Sequence, residues 1–120
     1  MKRSLLPCIA LALVLVTTAC QSPAPTTSFS GTSTFEGVTY DLTLEFQRLG
    51  DRLMGEYHVD DVGGGFEGTV NGTAVTAELT PSSTCTYAFE GTLTETSLNG
   101  TFQPGDCPGR QTGVWELVRQ

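Results

Sequence analysis

The chain has 120 residues, 38% of them hydrophobic and 16% charged, with thirteen acidic side chains against six basic ones and a formal net charge of −7. That balance argues against binding to nucleic acid or adhesion to anionic lipid, which need clustered Lys and Arg. A single histidine leaves little material for acid–base or nucleophilic catalysis, and the length suits one small core.

Lys2 and Arg3 precede an apolar run from Leu5 to Val16 that is too short to span a bilayer, which is the pattern of a signal peptide. The run ends in Thr17, Thr18, Ala19 and Cys20. This ending resembles the lipobox of bacterial lipoproteins, in which cleavage before the cysteine leaves it as the lipidated N-terminus. Thr17 departs from the pattern, since the family usually has an aliphatic residue there. The resemblance implies a signal peptide over residues 1–19, lipid on Cys20, a membrane as partner, and a place in the bacterial cell envelope. A plain secretory cut after Ala19 is the alternative. The next residues, to position 28, are rich in Pro, Thr and Ser and read as an extended tether reaching about 25 Å.

With Cys8 removed in the leader and Cys20 lipidated, Cys85 and Cys107 remain as a pair in an oxidising compartment, so a disulfide is expected. No CxxC spacing or nearby histidine favours a metal site instead. The remaining domain, residues 29–120, holds Arg48, Arg52, Arg110 and Arg119 against all thirteen acids and has no lysine.

Residues 29–35 alternate between small or polar and apolar, and Glu36 with Gly37 makes a turn. Residues 38–49 place Val38, Tyr40, Leu42, Leu44 and Phe46 on one face. A turn at Gly50 and Asp51 then sets Phe46 against Gly55, Leu44 against Tyr57 and Leu42 against Val59. Residues 60–65 (DDVGGG) read as a flexible acidic loop. Asn71 and Gly72 form a strong hairpin signal that pairs Phe66 with Ala77 and Gly68 with Val75. After a loop at residues 81–84, a second hairpin turns at Glu95 and Thr96. It opposes Leu93 to Leu98, Gly91 to Gly100 and Phe89 to Phe102. Cys85 then falls opposite Asp106, one residue short of Cys107, so the bridge needs a bend at Pro104 and Gly105. Residues 112–119 close the chain with Trp115 and Leu117 inward.

Eight short strands joined by turns, with no helical stretch, predict an all-β fold. The expected form is a small eight-stranded antiparallel up-and-down β-barrel, with a β-sandwich as the alternative. Closure would remove the exposed edges of a chain so rich in β-formers. The motifs FSGTS, FEGTV, FEGTL and LNGTF recur in one phase. They resemble the calycin group of avidin-like and lipocalin-like barrels, in which Leu-x-Gly-Thr-aromatic strands repeat. The resemblance implies barrel shape and a ligand carried inside. It does not extend to biotin, because Gly31, Thr32 and Ser33 stand where avidin-like chains have Gly-Thr-Trp, and Trp115 is the only tryptophan.

All ten aromatic residues fall on the inward phase, which predicts a mainly packed interior. The competing expectation is an apolar pocket among Tyr40, Phe46, Tyr57, Phe89, Phe102 and Trp115. The longer connections (residues 60–65, 81–84 and 103–111) gather at the end away from the tether. There His58, Asp60, Asp61, Asp106 and Arg110 form a candidate binding surface. His58 points outward with no nucleophile placed beside it, so no catalytic set, metal or cofactor is expected. The leading expectation is a non-catalytic binding module that contacts a protein or other macromolecule through this disulfide-braced end. Small bacterial lipoprotein barrels that inhibit lysozyme are similar in size, anchor and disulfide. The alternative is a carrier or sensor of a small apolar ligand inside the barrel.

Overall fold

A computed structural model describes residues 25–81, 85–109 and 112–120. The signal peptide, Cys20 and Arg110 lie outside these residues. The strands are β1 (Thr26–Phe35), β2 (Val38–Leu49), β3 (Arg52–Val59), β4 (Val62–Asn71), β5 (Ala74–Pro81), β6 (Tyr87–Leu93), β7 (Ser97–Pro104) and β8 (Gly113–Arg119). Each pairs antiparallel with the next, and β8 pairs with β1, giving a closed eight-stranded up-and-down barrel. Closure leaves no strand with an unpaired edge.

Alternation decides which side chains fill the interior. In β2, Leu42, Leu44 and Phe46 are buried while Asp41, Thr43 and Glu45 are exposed, and β5 and β8 repeat the pattern. Through the barrel centre the rings form a continuous series. Phe29 stacks on Phe46 with centroids at 5.7 Å, Phe46 on Phe66 at 6.0 Å, and Phe66 on Trp115 at 6.2 Å. Phe89, fully buried, meets Trp115 at 5.0 Å. Such pairs add roughly 0.5–1.5 kcal/mol each beyond their buried area.

The expected registers of β2 with β3 and of β6 with β7 are found, including Leu44 opposite Tyr57 and Phe89 opposite Phe102. Three local expectations are corrected. First, β1 begins at Thr26, paired with Gln47, so the last residues assigned to the tether belong to the sheet. Second, residues 60–65 are not a loop. Asp60 and Asp61 make a tight turn, with Asp60 at φ 54°, and Gly63, Gly64 and Gly65 continue β4 opposite His58, Tyr57 and Glu56. Asp tolerates that left-handed conformation because its side chain can bond locally, and strand pairing supplies the backbone partners that the three glycines lack as a loop. Third, the β4–β5 turn centres on Gly72 and Thr73, with Gly72 at φ 67°, so Phe66 faces Leu79 and Gly68 faces Ala77. Moving the turn by one residue shifts the register by two. The side-chain faces are therefore unchanged.

The inward glycines mark places where strands coil closely. A β-carbon on Gly55 would be driven into the Glu45 carbonyl and would lie 2.6 Å from the Phe46 α-carbon of β2. No residue but glycine permits that backbone approach.

Candidate functional site

The barrel is packed through its middle and has a hollow at each opening, about 470 Å³ beside β1's start and a more aromatic one at the end away from it. There a cavity of about 350 Å³ opens between Ser33 and Phe35 of β1, Tyr40 of β2, Tyr57 and Val59 of β3, Leu79 and Pro81 of β5, Tyr87 of β6, Phe102 of β7 and Trp115 of β8. Asp60 and Val62, from the β3–β4 turn and the start of β4, complete its rim. None of the inward glycines Gly31, Gly55, Gly68, Gly91 and Gly100 lines it. They serve strand coiling and not the hollow.

The register explains the shape. Counting along β1, Phe29 borders the other opening, Gly31 lies over the packed centre, and the last two inward residues are Ser33 and Phe35. Ser33 stands between Tyr40 on one side and Trp115 on the other. Trp115 touches Tyr57 at 5.4 Å between centroids and Phe102 at 6.5 Å, and Tyr87 sits edge-on to Phe102 at 5.7 Å. The walls are thus aromatic, supplied by six different strands.

Three residues of this wall are buried and their polar groups have no partner among the described residues. Ser33 is 3% exposed, Tyr57 7% and Trp115 1%. Neither hydroxyl, nor the indole N–H, makes a hydrogen bond among the described residues. Buried polar groups are nearly always paired, so three orphans around one hollow call for an explanation. Burial pushes the Tyr57 phenol up to about 12, with the Tyr87 phenol adding to the effect, so Tyr57 is a neutral hydroxyl at physiological pH.

The disulfide flanks this end. Cys85 and Cys107 are bonded with their α-carbons 4.7 Å apart, tying the β5–β6 connection to the β7–β8 connection. The bend past Pro104 that this requires is held by Gly105 N–H, which donates to the Thr86 carbonyl at 3.0 Å. The Thr86 N–H and hydroxyl donate to Asp106 Oδ1 at 2.6 and 3.1 Å. Those two bonds hold the exposed Asp106 carboxyl below its ordinary 3.8.

Among the residues expected to line a pocket, Tyr40, Tyr57, Phe102 and Trp115 are brought together here. Phe46 lies instead at the other opening, with Phe29, Arg48 and Arg119, and Phe89 is in the packed centre between the two. The expected loop-end surface is more dispersed. Asp60 is on the cavity rim and Asp61 is exposed in the same turn, while Asp106 is engaged with Thr86. His58 is on the barrel's outer face, its ring packed over Gly63 of β4. Arg110 is outside the described residues. Among the described residues no cluster of three His, Cys, Asp or Glu could hold a metal ion. Ser33, Phe35 and Tyr87 were missed as lining residues, although all three fall on the inward phase of strands at the far end. Ser33 carried the clearest signal, as the one serine in the inward series of Phe29, Gly31, Ser33 and Phe35.

Among the described residues the end where the chain enters carries both signs, with Asp51 and Glu95 beside its arginines, while the cavity end carries acids alone. The described basic residues, Arg48, Arg52 and Arg119, all lie at the end where the chain enters the barrel, and Arg52 forms only an exposed 3.9 Å pair with Glu67. The cavity end carries Glu36, Asp41, Asp60, Asp61 and Asp106. No protein-family model matches the chain, and no curated protein matches it as a relative. The site's geometry and charge therefore carry the functional reading.

Proposed function

We propose that this is a non-catalytic binding module of the bacterial cell envelope, held to a membrane through lipid on Cys20, that takes a small and largely apolar ligand into the cup at the far end of its barrel. The observation that carries this reading is the aromatic hollow of about 350 Å³ lined by three buried residues whose polar groups have no partner among the described residues. Ligand sites are typically apolar concavities with a few convergent polar groups that fix orientation. Ser33, Tyr57 and Trp115 have that character, because an unpaired buried hydroxyl or N–H is costly until something bonds to it.

Docking of a macromolecule through the loops draws less support. Residues 60–65, counted on as a long loop, are a tight turn and the start of a strand, and Asp106 is committed to Thr86.

Native mass spectrometry of the full chain carrying Cys20→Ser, purified from an oxidising periplasm without detergent, tests the reading. A reproducible added mass that is lost on denaturation, and reduced by Ser33→Ala, is the expected result. A bare mass, together with no change in Trp115 fluorescence across a panel of small amphiphiles, would refute it. For the anchor, wild-type protein is expected in the membrane fraction and Cys20→Ser in the soluble periplasm.

A further inference from the structure

We propose that the ligand of this cup is an organic cation, an ammonium carried on an apolar or aryl chain. The inference rests on the cup's being a ligand site and narrows the chemistry it accepts. Three independent features of the cavity point the same way.

The first is the wall. Tyr40, Tyr57, Tyr87, Phe102 and Trp115 surround the hollow, and rings of this kind attract cations electrostatically, Trp and Tyr more strongly than Phe. The second is the polar set. Ser33 Oγ, nine-tenths buried and more, has free lone pairs, and the neutral Tyr57 oxygen offers the same. An ammonium brings donors and no acceptor, so it pairs with the lone pairs of both oxygens, although not with the Trp115 N–H, which is itself a donor. The third is charge. Among the described residues, Asp60 is the only carboxylate lining the cavity, no basic side chain lines it, and the Asp60 carboxylate has no hydrogen bond or ion pair. Glu36, Asp41, Asp61 and Asp106 share its end of the barrel, against Arg110 in the sequence between β7 and β8, so the acids outnumber the arginine and favour cations at the opening. A carboxylate ligand would be desolvated beside Asp60 without a counter-ion among the described residues, which is strongly unfavourable.

Trp115, the only tryptophan, lies in the cavity wall and makes intrinsic fluorescence a direct report on occupancy. The experiment titrates the full Cys20→Ser chain with 2-phenylethylammonium, 2-phenylethanol and 3-phenylpropionate, at low and high salt. These probes share one aryl chain and differ in charge. The ammonium is expected to bind about tenfold or more tightly than the alcohol, and the carboxylate most weakly. Asp60→Asn keeps a residue that tolerates the turn's left-handed conformation. It is expected to weaken ammonium binding about two- to fivefold and to reduce its salt dependence, as for an exposed ion pair, leaving the alcohol unchanged. If the alcohol binds as tightly as the ammonium, or Asp60→Asn weakens both alike, the cationic assignment is overturned while the cup remains a ligand site. If none of the three probes alters Trp115 fluorescence and the native mass is bare, both readings fall.

Discussion

Ser33→Ala should stabilise the ligand-free protein, which is the reverse of what removing a core hydrogen-bonding group ordinarily does. Ser33 is 3% exposed, is flanked by Tyr40 and Trp115 across its two strand neighbours, and has no partner for its hydroxyl among the described residues. Burying an unpaired hydroxyl costs roughly 1–3 kcal/mol on protein mutational scales. The hydroxyl borders an existing hollow, so some of that penalty is relieved, and deleting one oxygen opens no new cavity in packed surroundings. A gain of about 1 kcal/mol is therefore expected. For a domain of this size that corresponds to a rise in Tm of roughly 4–8 °C. The assay is differential scanning calorimetry of the oxidised Cys20→Ser chain, with native mass spectrometry confirming that no ligand has been carried through purification. That check matters because a ligand bound only by the folded state would stabilise the Ser33 protein by mass action and mask the gain. A loss of 1 kcal/mol or more in demonstrably empty protein would refute the reasoning. It would mean that the hydroxyl has a structural partner and that its burial does not mark a site.

Three further outcomes follow from the packing and the loop end. Gly55→Ala should cost about 3 kcal/mol, at the upper end for overpacking, because the added carbon meets β2 backbone that cannot move without breaking the barrel; a shift in the urea midpoint measures it, and an unchanged midpoint would contradict the close approach. Replacing Cys85 and Cys107 together by serine removes a constraint between residues 22 apart in sequence and should cost about 3 kcal/mol, read from the same midpoint. Asp106→Asn should lower stability only where the native carboxylate is ionised. Since Thr86 depresses the Asp106 pKa in the folded state, its contribution is fully present above its ordinary 3.8 and disappears as pH falls through the lower native value. Urea midpoints of wild type and Asp106→Asn should therefore differ at pH 5 to 7 and converge as pH falls below 3.8 and through the lower native value; a gap of constant size would show that the effect is not ionic.

Much of the barrel was legible because period-two alternation and tight turns are local signals. Leu42, Leu44 and Phe46 could be assigned to the core, and paired correctly with Val59, Tyr57 and Gly55, from the spacing around Gly50 and Asp51 alone. The misreadings arose where glycine weakened that signal. Gly63, Gly64 and Gly65 carry no side chains to alternate, so a paired stretch looked like a loop, and the decisive fact was the register imposed by β3. The β4–β5 turn was misplaced by one residue because Asn71 and Gly72 form the stronger two-residue signal, while the chain puts its positive φ at Gly72 with Thr73 following. Even that error preserved the core, since a two-residue slip returns every side chain to the same face. The cavity was harder to see. Its existence depends on how far along each strand the packed layers extend, which needs the stagger of all eight strands together. Phe46 and Phe89 share the inward phase with Tyr57 and Trp115 yet lie at different heights in the barrel, and alternation cannot distinguish height.

That difference in height gives the molecule its direction. Phe66, Phe89 and the leucines of the centre seal the barrel, so the two openings are separate and can carry unlike chemistry. Arg48 and Arg119 border the opening beside the start of β1, where the proposed lipid tether would hold the domain against a membrane. The aromatic cup with Asp60 at its rim opens at the opposite end, which under that anchor faces away from the lipid. The disulfide belongs to the same arrangement. It joins the connections that lead into Tyr87 and out of Phe102, two walls of the cup, and Asp106 and Thr86 fix the bend between them. A barrel closed by continuous strand pairing does not need a bridge at that point to hold its sheet together. It does need one if two of the longer connections, which would otherwise move independently, must keep an aromatic wall in place around a bound molecule. The bridge, the hydroxyls unpaired among the described residues and Asp60 thus lie at one end of the fold, and the proposed binding there would give all three a single role.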